Sequence, residues 1–237
     1  MKATAWEFRH RSLIIGTVYA LGFSLSGVQP ITAGRWVARL FTGTPVPAGA
    51  DRVAFGVATL VVAGAAALRT WGTSYLGRSA VYDAKVRTES LVADGPYRFV
   101  RNPLYLGTIL LGAGIGSAAS PIGWLVLVTG LWVVHRRLVG REETYLLERH
   151  GDAYRRYRTA VPRLLPALGP RVPASGAGPD WRAGWRGEAD MWCLAAGVGS
   201  AAVTLSMVPF EVCVGVGLLL LALESRRARR PEAGKGA

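Results

Sequence analysis

Cysteine and histidine are scarce in this chain of 237 residues, which has two of the first and three of the second. Cys193 and Cys213 form no CxxC pair, and His10, His135 and His150 have no partner at metal-ligand spacing. No zinc site, other metal centre or disulfide framework is therefore expected. Both cysteines fall in apolar runs, where a thiol serves as a small apolar residue. Acidic residues are few as well, 15 against 28 Lys and Arg, for a net charge of +13. That excess is not a nucleic-acid footprint, which would gather basic residues on one face among exposed aromatics. Here they cluster at Lys2, Arg9 and Arg11, between the second and third apolar runs, after the fourth, and in Arg226-Arg227-Ala228-Arg229-Arg230. Anionic lipid headgroups are the partners such clusters fit. The first apolar run lacks a small-residue cleavage site, so it does not read as a removable signal peptide.

Apolar residues are abundant. They make up 51% of the chain, with 30 glycines and a positive mean hydropathy. About six runs approach membrane-spanning length: Ser12 to Val28, Val53 to Leu68, Leu104 to Ala119, Trp124 to Val139, Met191 to Val208 and Pro209 to Leu223. The expected fold is all-α, a polytopic integral membrane bundle of about six transmembrane helices. The third run is short for a full crossing and is expected to tilt or to be partly re-entrant. The basic clusters place both termini in the cytoplasm by the positive-inside rule, although the outer loop from Gln29 to Arg52 still carries Arg35, Arg39 and Arg52. The expected organisation is a scaffold over 1–69, a functional core over 70–168, a linker over 169–188, a hairpin over 189–224 and a basic disordered tail over 225–237. Gly16, Gly22, Gly56 and Gly64 are candidates for close helix packing in the scaffold. Composition rich in Arg, Ala, Gly and Val suits a GC-rich bacterial genome, hence a bacterial inner membrane.

One polar stretch interrupts the apolar ones, Gly95-Pro96-Tyr97-Arg98-Phe99-Val100-Arg101-Asn102-Pro103-Leu104-Tyr105-Leu106. Its prolines predict a turn that enters a helix near Pro103, with Asn102 as N-cap. Such a helix start turns free N–H groups and a partial positive charge toward the polar layer. Trp71 and Tyr75 are expected at the interface, followed by a mixed-charge segment with Asp83, Lys85, Arg87 and Glu89, then Leu91-Val92 against the membrane surface. The fourth run continues past the membrane through Arg141-Glu142-Glu143 as one projecting helix that ends at Gly151. Asp152 is expected to cap a short helix bearing Tyr154 and Tyr157, broken by Pro162. His135 reads as an interface histidine, and Trp181 and Trp185 as interfacial residues of the linker.

Together these elements resemble the isoprenylcysteine carboxyl methyltransferase and phospholipid methyltransferase superfamily of membrane enzymes. The resemblance covers Glu89 to Pro166. It is carried by Leu91-Val92, Gly95-Pro96-Tyr97, Arg101-Asn102-Pro103-Leu104-Tyr105, Arg141-Glu142-Glu143, Gly151 to Tyr154, Tyr157, Val161-Pro162 and Pro166. Asn102 and Glu89 stand where the family has histidines; Asn keeps a hydrogen-bonding side chain but carries no proton. The resemblance implies S-adenosylmethionine in a pocket at the cytoplasmic boundary, leaving S-adenosylhomocysteine as product. A zwitterionic tail needs both signs of charge nearby, and an adenine needs an apolar or aromatic wall. The implied cofactor residues are Leu91, Val92, Gly95, Pro96, Tyr97, Arg98, Asn102, Pro103, Tyr105, Leu106, Glu142 and Glu143. Arg101 and Arg163 are the candidates to orient the acceptor or the cofactor carboxylate, and Glu143 to take a proton where one must leave. The expected acceptor is a lipophilic small molecule or lipid entering from the bilayer rather than a prenylated protein. A sterol-reductase-like enzyme using NADPH and a non-enzymatic membrane scaffold are the alternatives.

Overall fold

Side chains write several of the helix starts. Thr4, Thr32, Ser120 and Asp180 each accept a hydrogen bond from a backbone N–H three residues on, the N-cap arrangement that satisfies otherwise free donors. The computed structural model describes residues 2–29, 31–45, 47, 49–76, 91–206, 208, 210–213 and 215–217. Among these the helices are α1 (Ala5–Arg9), α2 (Arg11–Ser24), α3 (Ala33–Thr42), α4 (Ala50–Leu76), α5 (Pro103–Gly116), α6 (Pro121–Ala160), α7 (Trp181–Gly187) and α8 (Ala189–Thr204). Single 3-10 turns cover Leu25–Val28 and Gly95–Arg98. No strand occurs among the described residues. Glu89 and its mixed-charge neighbours, the end of the sixth apolar run and the basic tail lie outside them.

α4 is the hub, packed against α5, α7 and α8, while α6 packs on α2 and α5. One apolar core joins Ala58, Val62 and Ala65 of α4 to Leu111 and Ile115 of α5 and Ala195 and Val198 of α8. A second joins Ile109, Leu127 and Leu131 to Ile15, Val18, Tyr19 and Phe23 of α2. The stretch Arg11–Val28, α4 and α6 are long and apolar enough to cross a membrane. The exposed Leu13, Leu60, Leu125 and Val133 are then the lipid-facing side chains. The protein is an all-α membrane helical protein. α5 is shorter, about 21 Å at the helical rise, against an apolar layer of about 30 Å. Beyond α8 the described residues from 208 to 217 are helical and return along it, with Cys213 seated against Gly197.

Of the glycines expected to pack closely, Gly22 does so, but Gly16, Gly56 and Gly64 face open space. Spacing alone does not say which side of a helix meets a neighbour. The tightest approach to another backbone is at Gly123, where an added Cβ would lie 2.2 Å from the Gly22 carbonyl oxygen. Gly123→Ala is expected to push α2 off α6 and cost about 1–3 kcal/mol, read as a lower melting temperature in detergent, whereas Gly16→Ala should melt with the native chain.

α6 breaks at Gly151, whose φ of 50° and ψ of −124° lie outside helical values, as its place in the sequence predicts. The thirty residues before the break run about 45 Å, so the helix projects from the bilayer with Arg141 to Glu143 beyond its edge. The N-terminal segment packs on this projecting part. Ala3 N–H donates to the Arg137 carbonyl at 2.9 Å, the Arg137 guanidinium forks onto Glu7 at 3.1 and 2.9 Å, and Arg141 donates to the Ala3 carbonyl.

Candidate active site

Gly95 opens the polar layer. Its φ of +57° is left-handed, and a Cβ there would stand 2.3 Å from the Tyr75 ring, so the turn needs glycine for both reasons. The turn buries Pro96 and Tyr97. The Tyr97 carbonyl accepts the Tyr157 hydroxyl at 2.8 Å, while the Tyr97 hydroxyl is buried with no partner within the protein. Burial pushes the Tyr97 phenol well above its usual range, with the neighbouring Tyr157 adding to it, so it stays a proton donor. Tyr154 and Tyr157 pack with Val161, Leu91, Ala93 and Val172 behind the turn. Leu91 thus serves the protein core instead of lying against the membrane surface, because the Tyr154–Tyr157 pair offers it an apolar seat. Burial pushes the Tyr154 phenol up to about 12, and the Glu143 charge adds to this.

The charges converge from three segments. Glu143 is 3% exposed and lies between two arginines. Arg163 forks onto it through Nε at 3.1 Å and through Nη2, and Arg101 Nη2 reaches the same carboxylate at 3.3 Å. Arg101 is itself buried, and its Nε and Nη1 have no partner in the protein. Asn102, in the family histidine position, donates through Nδ2 to the Arg163 carbonyl at 3.0 Å; no side-chain cap bond from it to α5 is present. The Tyr105 hydroxyl donates to Glu142 at 2.7 Å, and its ring stands edge-on to His135 at 5.4 Å. His135 is buried, with Nδ1 paired to the Leu131 carbonyl, so it is no interface histidine: α5 covers that face of α6. Asp152 pairs with Arg155 at 3.3 Å instead of capping the helix after Gly151.

Arg101, Asn102, Tyr105, Glu142, Glu143 and Arg163 therefore form one connected set. Pro96, Tyr97, Pro103 and Leu106 are buried beside them in the turn and the first turn of α5, while Leu91 and Val92 are half-buried. Arg98 turns elsewhere, its Nε donating to the Val172 carbonyl at 2.9 Å.

That contact belongs to a strap the sequence did not announce. Residues 163–180, read as the end of the core and a linker, lie along the Gly95 turn. Ala167 N–H bonds the Phe99 carbonyl, Arg171 N–H the Arg98 carbonyl, and Asp180 N–H the Ser74 carbonyl. Asp94 anchors the strap by accepting from the Ser175 hydroxyl, from Ser175 N–H at 2.8 Å and from Ala177 N–H at 3.3 Å. α7 then packs on α4, with Gly184 too close to the Thr70 carbonyl to carry a side chain. The Ser175 hydroxyl bond first, and the two backbone bonds with it, hold the Asp94 pKa below its ordinary value against the opposing effect of burial. A depressed folded-state pKa adds stability above the unfolded value and loses it as pH falls. Amide exchange in 167–177, corrected for the intrinsic rate, is thus expected to speed up below about pH 4. Asp94→Asn should show that fast exchange already at neutral pH.

Sequence reasoning also missed Arg69 and Glu188. Arg69 Nε and Nη2 fork onto the fully buried Glu188 at 2.6 and 3.2 Å, and the Thr73 hydroxyl joins at 2.6 Å. Arg69 Nη1 donates to the Leu104 carbonyl and the Thr108 hydroxyl. Both charges sit at the ends of apolar runs, where they read as boundary markers; a charge at the edge of a span is the signal to follow.

A family model described as "Phospholipid methyltransferase" matches residues 52–153. The protein-S-isoprenylcysteine O-methyltransferase of Schizosaccharomyces pombe is 33% identical over 82 residues, 33% of this chain and 34% of that protein. Protein-S-isoprenylcysteine O-methyltransferase B of Arabidopsis thaliana is 29% identical over 116 residues, 47% of this chain and 58% of that one. An uncharacterized protein of Haemophilus influenzae is 41% identical over 46 residues, 73% of its length. The chain thus spans about a third and somewhat over half of the two named relatives it matches. No solved structure matches the chain. The matched region runs from α4 through the Gly95 turn to the Glu142-Glu143 helix, while Arg163 of the connected set lies beyond it. Over this region the chain is similar to the isoprenylcysteine and phospholipid methyltransferase-like superfamily.

Proposed function

We propose that the chain is an S-adenosylmethionine-dependent methyltransferase working at the membrane boundary on a lipophilic or amphiphilic acceptor. The observation that carries this is the pair of buried, unpartnered N–H groups of Arg101 beside the Glu143–Arg163 ion pair. A buried donor without a partner costs about 1–3 kcal/mol, which a ligand acceptor would recover. S-adenosylmethionine supplies an electrophilic methyl group on a positively charged sulfur.

The residues fit that donor. Arg101 presents unused N–H groups to a carboxylate. The Tyr97 hydroxyl has a free proton to donate, and Glu142, oriented by Tyr105, is an acceptor for an ammonium or for ribose hydroxyls. Pro96, Pro103 and Leu106 form an apolar wall suited to a base. Gly95 sets the turn, Asn102 braces Arg163, and Arg98 holds the strap that keeps water away. Leu91 backs the wall, and Val92 links it to the turn. Much of the catalysis is then alignment and water exclusion. Glu143 already serves two guanidinium groups through both oxygens, so its task is to hold Arg101 and Arg163 and not to collect a proton. With Glu143 so engaged, the site suits an acceptor that is already a nucleophile. Likeness to two O-methyltransferases of isoprenylcysteine points the same way, to a carboxylate on an apolar tail.

The test offers methyl-labelled S-adenosylmethionine and membrane-soluble carboxylates, amines and thiols to the protein in lipid. Label should enter the organic phase with the carboxylates and be released by mild alkali, as a methyl ester is. Alkali-stable label would shift the acceptor to an amine or thiol, and no transfer to any class would count against the enzyme.

A further inference from the structure

The Arg69–Glu188 pair does more than join two helices. Resting on the donor-binding reading above, we propose that Arg69, held by Glu188, is a positioning residue that locks the first turn of α5 to the far end of the strap and so fixes the shape of the donor pocket. The pair spans 119 residues of chain. On one side, Glu188 directly follows α7 and ends the segment that begins at Arg163 and is pinned midway by Asp94. On the other, Arg69 Nη1 reaches the Leu104 carbonyl at 3.1 Å and the Thr108 hydroxyl at 2.8 Å, bracketing Tyr105 and Leu106. Gly107 makes room, since a Cβ there would lie 2.4 Å from Arg69 Cγ.

Holding helices together does not require this arrangement. Charges withdrawn from water gain little over apolar side chains of the same volume, and fixing a register is the better-attested use of a buried polar group. A guanidinium suits it, because its planar fork engages a carboxylate on one edge and leaves another N–H group to bond elsewhere. Arg69 uses both capacities. Tyr105 depends on the result: its hydroxyl meets Glu142 at 2.7 Å only if the first turn of α5 keeps its rotation against α6. Arg69 therefore acts on the pocket through α5 and does not touch the donor.

The test uses the full chain in detergent and two variants. The double variant Arg69→Met with Glu188→Met removes both charges and leaves neither unpaired, so it should melt within a few degrees of the native chain. Its amides at 106–108 are expected to exchange about tenfold faster, and its affinity for S-adenosylhomocysteine to fall about tenfold, with exchange in the remainder of α4 unchanged. Arg69→Lys keeps the charge without the fork; it carries the same two expectations and serves if the double variant does not fold. Native exchange together with native affinity in a folded variant overturns the proposal and reduces the pair to a fold-stabilising contact. If the native chain itself binds no S-adenosylhomocysteine, the donor assignment is what fails, and exchange at 106–108 alone decides the role of Arg69.

Discussion

Glu143→Gln is expected to abolish methyl transfer, with a loss of roughly a hundredfold or more, while the chain still folds. Its neighbours set the size of the effect. Arg101 is 9% exposed at its side chain and meets one carboxylate, the one it shares with Arg163. A neutral amide keeps the volume and one acceptor oxygen but puts an N–H₂ where a guanidinium expects an acceptor. Removing one partner of a buried pair commonly costs about 3–5 kcal/mol, because the other charge stays behind uncompensated. Arg163 is the more exposed of the two and water relieves it in part; Arg101 has no such relief. Its guanidinium should shift, and the donors it offers a ligand shift with it. Donor affinity and turnover therefore fall together. Full activity in a folded Glu143→Gln protein would remove the cluster from the site.

Gly95→Ala has the second large effect. A left-handed backbone costs a residue with a Cβ about 1–2 kcal/mol, and here the methyl would also stand 2.3 Å from a Tyr75 ring carbon. The turn must open, carrying away Tyr97, whose carbonyl holds the Tyr157 hydroxyl. Donor binding should be lost at ordinary concentrations. Adding Tyr75→Ala removes the steric part alone and should recover some affinity, with the backbone strain remaining. If Gly95→Ala binds like the native chain, the turn is not part of the pocket.

The sequence made the local parts of this site legible. The prolines flanking Tyr97 and Arg101, the adjacent glutamates on a projecting helix and the break at Gly151 all act within a few residues, and backbone rules reach that far. The Arg101–Glu143–Arg163 cluster was legible as a set of candidates, though not as a shared carboxylate with two arginines upon it. The contacts of the strap were not legible for a physical reason: apart from the Asp94 anchor it is held largely by backbone N–H and C=O groups, which Pro, Gly and Ala supply as well as any residue. Asp94 and Ser175 lie 81 positions apart, and Arg69 and Glu188 lie 119 apart. Such pairs come from topology, which helical periodicity does not encode. His135 shows the same limit, since its distance along the helix suggested the interface and only the packing of α5 reveals its burial.

The most direct test of the central claim is calorimetric titration of the purified protein in detergent with S-adenosylmethionine, S-adenosylhomocysteine and NADPH, beside Glu143→Ala. Micromolar binding of the two adenosyl ligands is expected, with none of NADPH and loss of both adenosyl affinities in the variant. NADPH binding alone, or no binding of any of the three by folded native protein, would contradict it.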